Sequence, residues 1–141
     1  MSPAEREAAL IADLEILPSW QERLEELLRR DRARPGLSPG ERAEAHRVPG
    51  CLSRVWLVGE RTPAGRCRFR TDAEAPAVRA LVGTLAALCD DSTPTDLAAY
   101  APRFLAALGL DKHLTGTRRD AFAKAHETIR RFARDDPNAE A

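Results

Sequence analysis

The chain has 141 residues, 43% hydrophobic and 31% charged, which suits one globular domain able to bury a core without a disulfide or metal staple. That apolar fraction is too high for a disordered chain, and no apolar run approaches the roughly 18–20 residues of a membrane span. The 22 basic and 22 acidic side chains cancel, which disfavours a polyphosphate partner such as nucleic acid. All the cations except Lys112 and Lys124 are arginines. The first fifteen residues are rich in Glu and Ala and contain no apolar signal-peptide segment, so the expected compartment is the cytoplasm.

Ser2-Pro3-Ala4-Glu5 has the form of a capping box, with Pro at the first turn, and opens a helix expected over residues 3–16. Ser19-Trp20-Gln21-Glu22 repeats the box ahead of Leu24, Leu27 and Leu28, which carry helical spacing to about Arg32. Residues 33–50 hold three prolines and three glycines and read as a long connection, with one helical turn expected over residues 39–45. Val55 to Val58 form a β-rich run, Thr62 to Gly65 a turn, and Arg66 to Arg70 alternate polar and apolar. This predicts an antiparallel hairpin with Cys67 and Phe69 on the buried face.

After Thr71 the period changes. Val78, Leu81, Val82, Leu85, Leu88 and Cys89 lie on one stripe of a helix over residues 75–90. Asp72 and Glu74 are read as acidic caps at its N-terminus. Thr93 caps a short helix, residues 102–108 make another stopped by Gly109, and a last helix runs over 117–134. Its apolar stripe is Phe122, Ala125, Ile129 and Phe132. Residues 135–141 are expected to fray. The expected class is α+β: one domain of 141 residues, with a small antiparallel sheet and helices packed on it.

The three cysteines, Cys51, Cys67 and Cys89, fit neither a disulfide framework nor the paired spacing of a zinc site. Cys67 and Cys89 occupy apolar positions of a strand and a helix and read as small buried hydrophobes. Cys51 follows Pro49-Gly50 at the end of the long loop and has no periodic partner. Gly50 lets the backbone take positive φ, and the flanking Arg47 and Arg54 favour a thiolate. Cys51 is therefore the candidate nucleophile.

The run Arg47-Val48-Pro49-Gly50-Cys51-Leu52-Ser53-Arg54-Val55-Trp56 resembles the R-V-x-G-C-x-S-x-V-W signature of the SufE family, with every fixed position met. Leu17 to Arg23 is similar to that family's L-x-x-W-x-x-R segment. Thr71 to Ala75 is similar to its G-D-S-D-A segment, Val78 to Leu81 to its I-V-K-G-L helix start, and Leu114 to Arg118 to L-T-P-S-R. The order holds over about residues 10–133. The sequence departs from the pattern at His46, Leu52, Arg54, Ala80, Gly116 and Asp120-Ala121.

The resemblance implies a fold shared with IscU-like scaffolds. It also implies that Cys51 takes sulfur as a persulfide from a PLP-dependent cysteine desulfurase of the SufS/CsdA kind and passes it to a SufBCD-like iron–sulfur scaffold complex. The PLP belongs to the desulfurase, and no cofactor or metal is expected on this chain. Gly50, Arg47, Ser53, Arg54 and His46 are the expected supports of the loop. Leu52 and Val48 are the expected shields of the persulfide. Arg118, Asp72 and Glu74 are candidates for partner contact or loop positioning.

Two other readings stand beside this one. A Cys–His hydrolase could pair Cys51 with His46, His113 or His126. An iron–sulfur scaffold needs three or four converging ligands, and the burial expected of Cys67 and Cys89 counts against it. No membrane partner is expected, and a homodimer is left open.

Overall fold

The structure, a computed structural model, describes residues 1–135. The first helix, α1 (Pro3–Glu15), begins at the expected capping box: Ser2 Oγ accepts from the Glu5 N–H, and the Glu5 carboxylate accepts from the Ser2 N–H. It buries Ile11 and Leu14. Helix α2 (Trp20–Arg32) is capped by Ser19, whose hydroxyl accepts from the Glu22 N–H. At its C-terminal end Arg29 and Arg30 both bond Glu26, and Arg34, just beyond the helix, reaches Asp31.

The hairpin forms as read, and it is longer. Strands β1 (Val55–Arg61) and β2 (Cys67–Ala73) pair antiparallel from Val55↔Ala73 to Arg61↔Cys67. The pairing carries the ladder past the β-rich residues, through Gly59 and Glu60, because β2 offers unbroken main-chain partners. Gly59 also has a packing role: a Cβ there would lie 2.7 Å from the Phe132 ring, which crosses the strand at this point. Cys67 and Phe69 point inward and are buried.

Helix α3 (Pro76–Cys89) carries the expected stripe, but Ala80, Gly83, Thr84 and Ala86 are buried as well. It packs against β2, α2, α6 and α1, and so forms the centre of the molecule. A helix apolar nearly all round belongs in such a place. Helices α4 (Pro94–Ala99), α5 (Phe104–Ala107) and α6 (Gly116–Arg134) follow. Thr93 and Thr115 cap α4 and α6 with their hydroxyls. Gly116, where the family pattern has Pro, sits at the first position of α6 and leaves that cap intact. The frayed tail expected from residue 135 lies, beyond Asp135 itself, outside the described residues.

The capping role expected of Asp72 and Glu74 is not what the structure shows. The ladder runs to Ala73, so α3 begins only at Pro76, with Ala75 as a cap that makes no side-chain hydrogen bond. Asp72 lies within β2, 1% exposed. It accepts from the Leu37 N–H at 3.0 Å, Arg42 Nη2 at 2.7 Å and Arg79 Nε at 2.9 Å. Burial opposes its charge, but the Leu37 N–H and the two guanidinium groups outweigh it, and the carboxyl lies below its ordinary range. Glu74 is exposed and pairs with Arg54 at 3.2 Å.

A second buried acid fixes α1 to the α4–α5 segment. Glu7, 2% exposed, accepts from the Tyr100 hydroxyl at 2.6 Å and from the main-chain N–H groups of Arg103 and Phe104. Tyr100→Phe is expected to lower stability by about 1.5–3 kcal/mol, the worth of a hydrogen bond to a charged group. The check is a lower urea midpoint at unchanged m-value.

Candidate functional site

The loop that carries Cys51 is built on the sheet. Arg47 bridges antiparallel to Trp56, and the Val48 N–H donates to Val55 O at 2.9 Å. These bonds close the base of a loop over residues 49–54. On its far side Arg54 O accepts from the Glu74 N–H at 3.2 Å. Upstream, the expected helical turn is a 3₁₀ turn, Glu44–His46, preceded by a reciprocal Ser38–Glu41 bond pair.

The sequence gives Cys51 no periodic packing partner and leaves its burial open. In the structure it is 8% exposed and belongs to the core cluster, beside a fully buried Val48. The reason is local. The base is pinned to β1, and Gly50 adopts φ 71, a left-handed turn that any other residue enters with strain. The chain turns back there, the sulfur goes in, and the next side chain goes out. Leu52 is 86% exposed, so of the two expected shields only Val48 lies against the buried side. The thiol is not sealed off. An open hollow of about 380 Å³ adjoins it, lined by Glu44, Arg47, Val48, Pro49, Gly50 and Cys51 itself.

Burial pushes the Cys51 thiol above its ordinary range, and Asp120 acts in the same direction. A hydrogen bond from the Ser53 main-chain N–H opposes this, as do the charges of Lys124 and Arg47. Arg47 also pairs with Glu44 at 3.2 Å. Arg54 is engaged by Glu74 instead of the thiol.

Each histidine has a neighbour other than the thiol. His46 Nδ1 lies 2.9 Å from Glu41 O. His113 stacks on Trp20 at 3.9 Å, and His126 stands edge-on to Tyr100 at 6.2 Å.

Arg118 is half-buried in the first turn of α6, where its main-chain N–H donates to Thr115 Oγ1. A side chain of α6 that reaches the loop is Lys124, whose Nζ donates to Gly50 O. Asp120 pairs with that ammonium at 3.3 Å. Sequence reasoning missed both residues. The available signals were the rarity of lysine in this chain and its i,i+4 spacing from an aspartate, and neither points to a loop 74 positions away.

Residues 8–133 match the family model described as SufE, the Fe–S metabolism associated domain. The chain belongs to the SufE family. Among curated proteins, a chloroplastic quinolinate synthase of Oryza sativa subsp. japonica is 34% identical over 118 residues. The match takes in 84% of this chain and 17% of that protein, so the chain spans a small part of that relative's length. Among solved structures, a hypothetical protein from Thermus thermophilus superposes with a TM-score of 0.68 at 25% identity, over 89% of this chain and 93% of that one. The SufE fold thus holds here in its α+β form, and the family ties the chain to Fe–S metabolism.

Within that fold the departures from the SufE pattern cause no visible disruption. Ala80 is fully buried in α3, and Asp120 and Ala121 continue α6 without a break. Among the described residues no group of three or more His, Cys, Asp or Glu is placed to hold a metal ion. Among them also, no helix is long and apolar enough to cross a membrane.

Proposed function

We propose that this SufE-family chain is a sulfur carrier that takes a sulfane sulfur on Cys51 from a cysteine desulfurase and yields it to an iron–sulfur scaffold. One observation carries the reading. The sulfur of Cys51 is withdrawn into the protein, yet it adjoins an open hollow on a loop closed at its base. A persulfide needs such a place, shielded from bulk reductant and reachable by one partner.

The chemistry is a thiol–disulfide-like exchange. The Cys51 thiolate attacks the outer sulfur of the donor's persulfide. A new S–S bond forms on Cys51, the donor's S–S bond breaks, and the donor cysteine leaves as a thiolate. The sulfane sulfur keeps its oxidation state, so no outside oxidant or reductant enters. The chain supplies the thiolate, the Ser53 N–H that favours it, and the cations Arg47 and Lys124 nearby. Delivery is the same exchange in reverse, onto an acceptor thiolate. A compartment that keeps thiols reduced, such as the cytoplasm, suits this chemistry.

The geometry gives less to the other two readings. A Cys–His hydrolase needs an imidazole at the sulfur, and the three histidines have the other neighbours described above. A scaffold needs converging ligands, whereas Cys67 and Cys89 are buried at 0% and 1% exposure. The test is an intact mass spectrum with peptide mapping after incubation with a cysteine desulfurase and free cysteine. A gain of one sulfur atom on the Cys51 peptide is expected. No gain across several desulfurases overturns the proposal.

A further inference from the structure

The base and the tip of the cysteine loop are held by different means. Main-chain bonds hold the base, at Val48–Val55 and Arg54–Glu74. The tip is tied to α6 by a side chain, through the Lys124 Nζ bond to the carbonyl of Gly50, the residue directly before the sulfur. Asp120, one turn earlier on α6, steadies the same ammonium. Gly50 is shaped to this contact. A Cβ at that position would lie 3.1 Å from Lys124 Nζ and 3.6 Å from Cε, so a side chain there would press on the lysine and oblige it to shift by a few tenths of an ångström. The lysine is half-exposed, and it can therefore leave without unpacking the core.

We propose that Lys124 is a positioning residue, a latch that keeps Cys51 withdrawn in the resting protein and shields the sulfur it carries. Releasing one side-chain hydrogen bond frees the tip while the base stays on the sheet. The loop then swings about Gly50 and presents the thiol. The shielding half of this inference rests on the carrier reading above, and the latch itself does not.

The two roles open to Lys124 predict opposite signs. As a nearby cation it favours the thiolate, so its removal alone slows attack by Cys51. As a latch it restrains the loop, so its removal speeds attack. The experiment is alkylation by iodoacetamide at pH 8, mapped by peptide mass so that Cys51 is followed apart from Cys67 and Cys89. In Lys124→Met, Cys51 is expected to react about tenfold faster than in the parent, the ratio set by losing one charge-assisted hydrogen bond. Cys67, Cys89 and the thermal midpoint stay unchanged, which separates release of a loop from loss of fold. Lys124→Arg keeps a cationic donor and returns the rate towards the parent's.

A slower or unchanged rate in Lys124→Met overturns the latch, as does an equal acceleration in Lys124→Arg. Incubation with desulfurase and cysteine then separates the two claims. If the parent takes no sulfur on Cys51, the carrier reading fails and the alkylation result stands. If it does, Lys124→Met should lose its persulfide to dithiothreitol about tenfold faster, by the same loss of hold. Equal loss rates overturn the shielding role.

Discussion

Asp72→Ala is expected to cost about 3–5 kcal/mol, the range for removing one partner from a buried ion pair. That is a large part of the roughly 5–15 kcal/mol that holds a domain of this kind folded. The reason lies in what Asp72 connects. From β2 it reaches the Leu37 main chain and Arg42 in the long loop, and Arg79 in α3. Arg79 also bonds Asp31 at the end of α2. Removing the carboxylate leaves the Leu37 N–H without its acceptor, loosens Arg42 and leaves Arg79 half-satisfied in a largely buried place. Arg42 also lies over the Trp56 ring at 5.8 Å, so the loss extends to the strand that carries the Cys51 loop. Asp72→Asn keeps the volume and one acceptor, so it should lose less than Asp72→Ala, but it still loses stability, because its neutral oxygen bonds more weakly than a carboxylate and its NH2 faces donors.

The pH dependence has a definite sign. The folded pKa of Asp72 lies below its unfolded value, so its stabilisation is complete above about pH 4, the unfolded carboxyl range. It is lost as pH falls through the lower folded value. Urea unfolding at pH 7 and pH 3 checks both claims: the parent loses more stability on acidification than Asp72→Asn does. Equal midpoints for parent and Asp72→Ala at pH 7 would refute the assignment.

Asp72 also marks the limit of what the sequence could convey. Helix α1, the hairpin and the stripes of α3 and α6 were legible because each is a local pattern: a cap three residues from its partner, an alternation of two, a period of 3.6. Asp72 and Glu74 stand just before a helix, which is also a local pattern, and there it misled. The strand simply continues to Ala73 and takes the aspartate inside, where its partners Leu37 and Arg42 are 35 and 30 positions away. The same holds at the site. The motif marked Cys51, Gly50 and Arg47, but a loop has no period from which burial can be read. Whether Cys51 lay outside or inside depended on a main-chain closure, Val48 to Val55, and on the sign of one φ angle. Lys124 reaches that loop only because α6 packs on β1, a contact no local pattern encodes.

The second large effect is a separation among the three cysteines. Cys51→Ser should abolish sulfur uptake in the desulfurase assay while leaving the unfolding midpoint near the parent's, because an alcohol cannot form the persulfide bond and position 51 borders an open hollow where a hydroxyl can meet water. Cys67→Ser and Cys89→Ser should behave in the opposite way. Each places a hydroxyl in an apolar interior at an expected cost of about 1–3 kcal/mol, and each should keep full uptake per folded molecule. At Cys67 the two main-chain bonds to Ser92 survive the change, so the loss there is confined to the side chain. At Cys89 burial pushes the thiol up to about 12, which leaves almost no thiolate at neutral pH. A thiol in that state cannot attack a persulfide at a useful rate. Cys51 is also raised by burial, but it has the Ser53 N–H and two cations to oppose the shift and a hollow through which a partner can reach it. If Cys67→Ser or Cys89→Ser abolished uptake in molecules shown to be folded, the single-acceptor scheme would fail, since sulfur would then have to pass through a thiol that is enclosed in the core.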